Sequence, residues 1–100
     1  MIIYNVTVNV DDSVHEEWLK WSKEIHIPEV MKTGMFIECR LCKVLSSEDS
    51  GATYSFQYSC EGMEKYEKYI NEFAPGLRAK VSEKFGDKFV AFRTLLEVIE

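Results

Sequence analysis

The sequence lacks any long hydrophobic run and carries little positive charge. Its longest apolar stretches are only a few residues long, whereas a membrane-spanning helix needs about 18–20. The 100 residues include 12 Lys and Arg against 17 Asp and Glu, which gives a formal net charge of −5. Because this charge repels a phosphate backbone and an anionic lipid surface, we expect neither nucleic acid nor a membrane as a partner.

Cysteine is scarce, and its arrangement favours neither a disulfide nor a metal site. The sequence has three cysteines, and an odd number is typical of free thiols in a reducing compartment. Cys39 and Cys42 have the spacing of a redox or zinc pair. On a strand, however, residues three apart point to opposite faces, so these two thiols cannot converge on one metal. We expect ordinary buried thiols, no metal and no cofactor.

Several targeting and binding motifs are also missing. The first residues show no basic stretch, no apolar leader core and no cleavage site, which predicts a cytoplasmic protein. Residues 62–85 contain no histidine, so a haem ligand on the second long helix is not expected. The turn at Asp11-Asp12 has neither the glycines nor the cation of a phosphate-binding loop. The motifs therefore identify no reaction.

The residues that are present predict one globular domain over positions 1–100, with 46 % apolar and 13 % aromatic residues. Alternating and helical hydrophobic spacing predicts strands over residues 2–10, 35–45, 52–60 and 88–98, and helices over 14–25, with a short continuation to 33, and over 63–85. Ser13 should cap the first helix, Pro28 should interrupt it, and the second helix should bend near Ala74-Pro75. His15 should be solvated.

This β-α-β-β-α-β order predicts an α+β, ferredoxin-like sandwich, in which two helices cover one face of a four-stranded antiparallel sheet. The other face, which we call the open face, has nothing in this chain to cover it. We place Val90, Phe92 and Leu96 under the helices. The apolar residues expected on the open face are Ile3, Phe36, Val44, Phe89 and Leu95. Because so much exposed apolar area is unusual in a monomer, we expect a homodimer formed through the open face.

A polar set should lie at the centre of this open face. The shortest hairpin turn places Glu38 opposite Ser59, Arg40 opposite Gln57 and Cys42 opposite Ser55. The candidate ligand-binding residues there are Asn5, Arg40, Gln57 and Arg93, with Thr7 beside them. They suit either an interface network or the binding of a small anionic or carbonyl ligand.

His26 is the other candidate. It stands where the first helix is interrupted, and its imidazole can either cap freed carbonyls or face a pocket as a base. The structural role is the simpler of the two. Trp18 and Trp21 share a helix face and are expected to pack in the core or an interface rather than to form a ligand platform.

Four segments together carry a family resemblance: Met1 to Val8, Trp21 through His26-Ile27-Pro28 to Thr33-Gly34, Phe73-Ala74-Pro75, and Asp87 to Leu96. They resemble the domain-of-unknown-function family 4286 over nearly the whole chain. The resemblance implies a dimeric α/β-barrel of the ferredoxin-like kind, with no established activity and no catalytic residues. More distantly, this fold is similar to the antibiotic-biosynthesis-type monooxygenases, in which a ligand sits between the open sheet and its helices.

Two functions therefore stay open. The first is a small homodimeric binding or interaction module without enzymatic activity. The alternative is a cofactor-independent monooxygenase or isomerase that acts on a small aromatic or carbonyl compound. In the enzyme, Arg40 or Arg93 would stabilise an enolate-like anion and His26 would move the proton. A cavity of a few hundred Å³ that reaches these side chains would favour the enzyme, whereas a filled interior would exclude it.

Overall fold

Four strands and two helical segments form the chain, and the computed structural model describes all residues from 1 to 100. The strands are β1 (Ile2–Val10), β2 (Glu38–Lys43), β3 (Ala52–Cys60) and β4 (Phe89–Glu97). The first helical segment comprises α1 (His15–Trp21), a π-helical turn (Ser22–His26) and α2 (Ile27–Lys32). The second comprises α3 (Met63–Lys68), a π-helical turn (Tyr69–Phe73) and α4 (Ala74–Phe85). The predicted α+β, ferredoxin-like order is confirmed.

The sheet has the strand order β2-β3-β1-β4, and all neighbouring strands are antiparallel. Both helical segments pack against the face that presents the buried row of β1, Tyr4, Val8 and Val10. The predicted hairpin register is also confirmed, because Arg40 pairs with Gln57 and Cys42 pairs with Ser55. Cys39 pairs with Tyr58, so the two thiols of the Cys-x-x-Cys motif lie on opposite faces and are free, as predicted.

Each helical segment contains a π-helical turn immediately before a proline-containing helix. Ile27 donates its N–H to the carbonyl of Ser22, and Ala74 donates its N–H to the carbonyl of Tyr69, five residues earlier. Pro28 and Pro75 follow directly in the first turn of α2 and α4. A proline donates no N–H and its ring clashes with the carbonyl four residues before it, so the wider turn lets the helix continue past the proline. The predicted interruptions therefore take the form of π turns.

An aromatic cluster forms the core between the sheet and the helices. The Phe36 ring centroid lies 4.8 Å from that of Tyr69 and 5.2 Å from that of Tyr58. Trp18 packs against Tyr54 and against Phe56, at 5.4 and 5.5 Å between ring centroids. The prediction that Phe36 lies on the open face is wrong, because it precedes the first residue of β2 and folds under the helices.

The start of α1 differs from the prediction. Ser13 does not cap the helix; instead its backbone N–H donates to the Asp11 carboxylate at 2.8 Å, and the helix begins two residues later. Ser13 is therefore part of a local turn with Asp11 and not the N-cap that the sequence pattern predicted. His15 is half-buried rather than solvated, since its Nε2 lies 2.6 Å from the hydroxyl of Tyr54.

The predicted orientation of β4 is wrong. Arg93 pairs with Val6 and Ala91 pairs with Val8, so the row of β4 that contains Phe89, Arg93 and Leu95 faces the helices. The open face instead receives Val90, Phe92 and Leu96, which are 54, 64 and 44 % exposed. Both rows of β4 carry apolar side chains, and a shift of one residue exchanges the two faces of a strand. The alternation of this strand alone does not distinguish the two orientations.

Among the helices, none has both the length and the apolar character required to cross a membrane.

Candidate functional site

A cavity of about 320 Å³ lies between the helix-covered face of the sheet and the two helical segments. Most of the side chains that line it are hydrophobic, and seven of them are aromatic: Tyr4, Trp18, Trp21, Phe56, Tyr58, Tyr69 and Phe89. The π turns supply Ser22, His26 and Tyr69 to this lining. Such turns often occur at functional sites, because the extra residue in the turn redirects side chains. A cavity of this size and lining is typical of a small-molecule site.

Two arginines converge on one phenol at the edge of the cavity. An Nη of Arg78, on α4, donates to the Tyr4 hydroxyl at 3.0 Å, and Nε of Arg93, on β4, donates to the same oxygen at 3.2 Å. Both arginines are exposed, whereas Tyr4 is buried. The two ion pairs of the protein lie elsewhere, between Lys80 and Glu29 and between Lys84 and Glu17. The two guanidinium groups therefore create positive charge at the cavity without a carboxylate partner.

Two residues of the cavity lining carry a buried hydroxyl that makes no hydrogen bond. The hydroxyls are Ser22 Oγ, whose residue is 1 % exposed, and Tyr58 Oη, whose residue is 2 % exposed. Burial, with the Cys39 thiol nearby, raises the pKa of the Tyr58 phenol. Burial also raises the pKa of Tyr69 to about 12. Both phenols are therefore neutral at pH 7 and keep a proton to donate.

His26 lies against Trp21 in the same lining, with the two rings stacked at 5.3 Å between centroids and 18° between planes. Burial lowers the pKa of His26, and the opposing charge of Glu29 only partly offsets this effect. A histidine with a lowered pKa is neutral at pH 7, so one ring nitrogen is free to accept a proton.

The structure divides the sequence-predicted site residues between two faces of the sheet. His26 and Arg93 line the cavity, whereas Asn5, Arg40 and Gln57 lie on the open face. On that face, Ser55 donates its hydroxyl to Asn5 Oδ1 at 2.5 Å, and Gln57 Nε2 donates to Ser55 Oγ at 3.3 Å. The single convergent set of the sequence analysis is therefore not formed, because β4 presents its other row.

The residues that complete the cavity were not identified from the sequence. Tyr4 was assigned to the buried row of β1 without a role, and Arg78 stands next to Leu77 in the apolar stripe of the second helix. The sequence offers one indication of the role of Arg78, which is its position beside this apolar stripe. An arginine next to the core must find a polar partner. Across the whole chain, no group of three or more His, Cys, Asp or Glu side chains is placed to bind a metal ion.

Known structures share this fold at low sequence identity. A dimeric ferredoxin-like protein from an uncultured marine organism has a TM-score of 0.72 and 18 % identity over 100 % of this chain and 96 % of that chain. A mutant of MhuD with two manganese protoporphyrin IX molecules bound per active site has a TM-score of 0.74 and 16 % identity, over 100 % and 96 % of the two chains. An ethyl tert-butyl ether D (EthD) family protein from Bacillus halodurans C-125 has a TM-score of 0.69 and 12 % identity, over 99 % and 100 %.

At these identities the likeness concerns the fold alone. No curated protein matches the sequence. The family model described as Domain of unknown function (DUF4286) matches residues 1–99, and the chain belongs to this family.

Proposed function

We propose that this chain is a homodimeric binding protein that takes a small aromatic or carbonyl compound into the cavity between its sheet and its helices. The observation that carries the proposal is the cavity itself, about 320 Å³ in volume, with aromatic walls and a few polar groups. Such a space is large enough for a one- or two-ring compound, and aromatic walls favour flat ligands through stacking.

Tryptophan fluorescence tests the binding. The chain has two tryptophans, and both line the cavity, so a flat ligand inside it should quench their emission in a saturable way. Ala91→Phe, which fills the cavity from β4, should abolish the quenching. Ala79→Phe makes the same change on the exposed surface of α4, outside the lining, and should leave it unchanged. No saturable quenching by any of a panel of aromatic acids, amides and ketones, or equal binding by Ala91→Phe, would contradict the proposal.

The homodimer is proposed from the open face. Val90, Phe92 and Leu96 form an exposed apolar row along β4, beside a hydrogen-bonded polar centre at Asn5 and Ser55. A two-fold pairing of two such faces needs one self-complementary patch, and it would remove this row from water. A structurally similar ferredoxin-like protein is dimeric, which supports the dimeric state.

Sedimentation equilibrium tests the dimer. The wild-type chain should sediment as a dimer at micromolar concentration, and Phe92→Asp should sediment as a monomer because it places a charge in the apolar row. Leu45→Asp is the matched control, because Leu45 is 87 % exposed and lies outside the strands. A monomeric wild type, or a Phe92→Asp variant that stays dimeric, would contradict the role of the open face.

The second candidate is a cofactor-independent monooxygenase or isomerase, and the observation that favours it is that His26 and Arg93 line one cavity. Removal of a proton from carbon beside a carbonyl would leave an enolate, which His26 would form as base and an arginine would stabilise. Nuclear magnetic resonance in D2O tests this step. An enolisable aromatic ketone should exchange its proton for deuterium about 10²–10⁴-fold faster with the wild type than with His26→Gln. Equal rates would exclude the base role.

A further inference from the structure

We infer that the cavity selects an aromatic carboxylate that carries a hydroxyl group, with the carboxylate bound by Arg78, Arg93 and Tyr4. This inference rests on the proposed binding function and names the class of ligand. Its basis is the positive charge at the cavity edge together with two buried hydroxyls, on residues of the cavity lining, that make no hydrogen bond.

The first step concerns the charge. Two guanidinium groups that bond one oxygen lie close together, and the repulsion between them is not offset by an acidic partner in the protein. A ligand that carries a negative charge would supply the missing partner. Arg presents five donors in a fixed fork, and the Tyr4 bonds occupy one donor of each arginine. The remaining donors suit a carboxylate, whose two oxygens accept such forks in pairs.

The second step concerns the Tyr4 hydroxyl. Its oxygen accepts a hydrogen bond from each arginine, so its own proton is still available to donate. Tyr4 is 3 % exposed, and it therefore directs this proton toward the protein interior or the cavity rather than to bulk water. Three side chains with donors, from the three elements β1, α4 and β4, thus meet at the edge of the cavity. A neutral carboxamide would offer a single acceptor oxygen to them and would place its own N–H groups against the arginines.

The third step concerns the hydroxyls of Ser22 and Tyr58. Both residues line the cavity and are more than nine-tenths buried, and neither hydroxyl makes a hydrogen bond within the protein, with only the Cys39 thiol near the Tyr58 hydroxyl. An unpartnered buried hydroxyl is costly, so these two groups point to a second polar atom of the ligand. A ligand hydroxyl can both donate and accept, which suits two hydroxyl groups. The aromatic rings of Trp18, Trp21 and Phe56 provide the apolar surface for the ring that joins the two polar ends.

Titration with 4-hydroxybenzoate, benzoate and 4-hydroxybenzamide at pH 7 tests the inference through tryptophan quenching. 4-Hydroxybenzoate should bind at least about tenfold more tightly than 4-hydroxybenzamide, because charge-assisted bonds to arginine are about twice as strong as neutral ones. Arg78→Gln and Arg93→Gln should each remove most of this difference by weakening the acid and not the amide. Lys65→Gln is the control, because it removes one positive charge from an exposed position of α3 outside the cavity lining and should change neither.

The hydroxyl end has its own comparison. Ser22→Ala and Tyr58→Phe should weaken 4-hydroxybenzoate several-fold and leave benzoate unchanged. Equal affinity of the wild type for the acid and the amide would overturn the inference while leaving the binding function intact. A failure of all three probes, and of the wider panel, would overturn both. The acid-to-amide ratio of the wild type decides the question even where a variant fails to fold.

Discussion

Arg93 and Tyr4 meet across neighbouring strands, where the Nε of Arg93 lies 3.2 Å from the Tyr4 hydroxyl. Arg78 bonds the same oxygen from α4 at 3.0 Å, so one phenol connects the edge strand β4 with the second helical segment. The Tyr4 hydroxyl alone accepts hydrogen bonds from side chains of both α4 and β4. The contact thus links the packing of the sheet to the charge of the cavity.

Tyr4→Phe should lower the free energy of unfolding by about 1 kcal/mol, because it removes two hydrogen bonds whose arginines are then solvated. Urea unfolding of the wild type and the variant measures the change. Tyr66→Phe is the control, since the Tyr66 ring lies 5.4 Å from that of Tyr4 and its hydroxyl makes no hydrogen bond; its effect should stay within about 0.5 kcal/mol. Equal losses in both variants would show that the arginine bonds contribute nothing.

Removal of the unpartnered hydroxyls should have the opposite effect. Tyr58→Phe and Ser22→Ala should each raise the free energy of unfolding by about 1 kcal/mol, because a buried hydroxyl without a partner is destabilising. Tyr54→Phe makes the same chemical change at a hydroxyl that does have a partner, His15 Nε2 at 2.6 Å, and should lower stability. Stability lost in Tyr58→Phe would mean that its hydroxyl is satisfied. If these two variants are more stable than the wild type but bind the ligand less tightly, they show the pattern expected of residues in a binding site.

The fold was predictable because its signals are local and repeated. Each strand and helix was predicted from hydrophobic spacing, and β1 and β3 alternate so clearly that their buried rows, including Tyr58 and Phe56, follow directly. The β2–β3 register followed from the length of the polar turn. The orientation of β4 was not predictable in this way, since Phe89 and Phe92 give both rows an apolar character.

The cavity was less predictable than the fold, because it depends on that orientation. Once β4 presents Arg93 to the helices, the arginine meets Tyr4 and Arg78, whereas the sequence pattern had grouped it with Arg40 and Gln57. The two strands concerned are adjacent in space but lie at opposite ends of the sequence. If the other alternating row of β4 faced the helices, the residues of the site would change while the fold stayed the same.

The turn before β3 depends on a glycine. Gly51 has φ +81°, and a Cβ at this position would lie 2.5 Å from the carbonyl oxygen of Val10. Gly51→Ala should therefore cost more than about 2 kcal/mol, since left-handed backbone alone costs about 1–2 kcal/mol in a residue with a Cβ. Gly34 also has positive φ, +76°, but no neighbour within 4 Å, so Gly34→Ala should cost only that backbone share. Thermal unfolding compares the two, and equal shifts would show that the contact with Val10 relaxes freely.

His26 should make the stability of the protein depend on pH. Burial lowers the pKa of His26 in the folded state below the ordinary value of about 6.5, which the unfolded chain keeps. At a pH between the folded-state pKa and about 6.5, the unfolded chain therefore binds more protons than the folded one. The free energy of unfolding should therefore fall as the pH falls through about 6.5 toward the pKa of the folded state, and the contribution of His26 should be complete above that window. Its Cε1–H resonance should titrate with a midpoint below about 6.5.

The variant His26→Gln separates this effect from the titration of the carboxylates. It removes the ionisable group next to Trp21, so its free energy of unfolding should fall less than that of the wild type between about pH 7 and pH 5. Urea unfolding at both pH values measures the difference. A midpoint at or above 6.5, or the same loss of stability in both proteins, would show that the imidazole is solvated. In that case its neutral form would not be held in the cavity, and the base role in the second candidate function would lose its support.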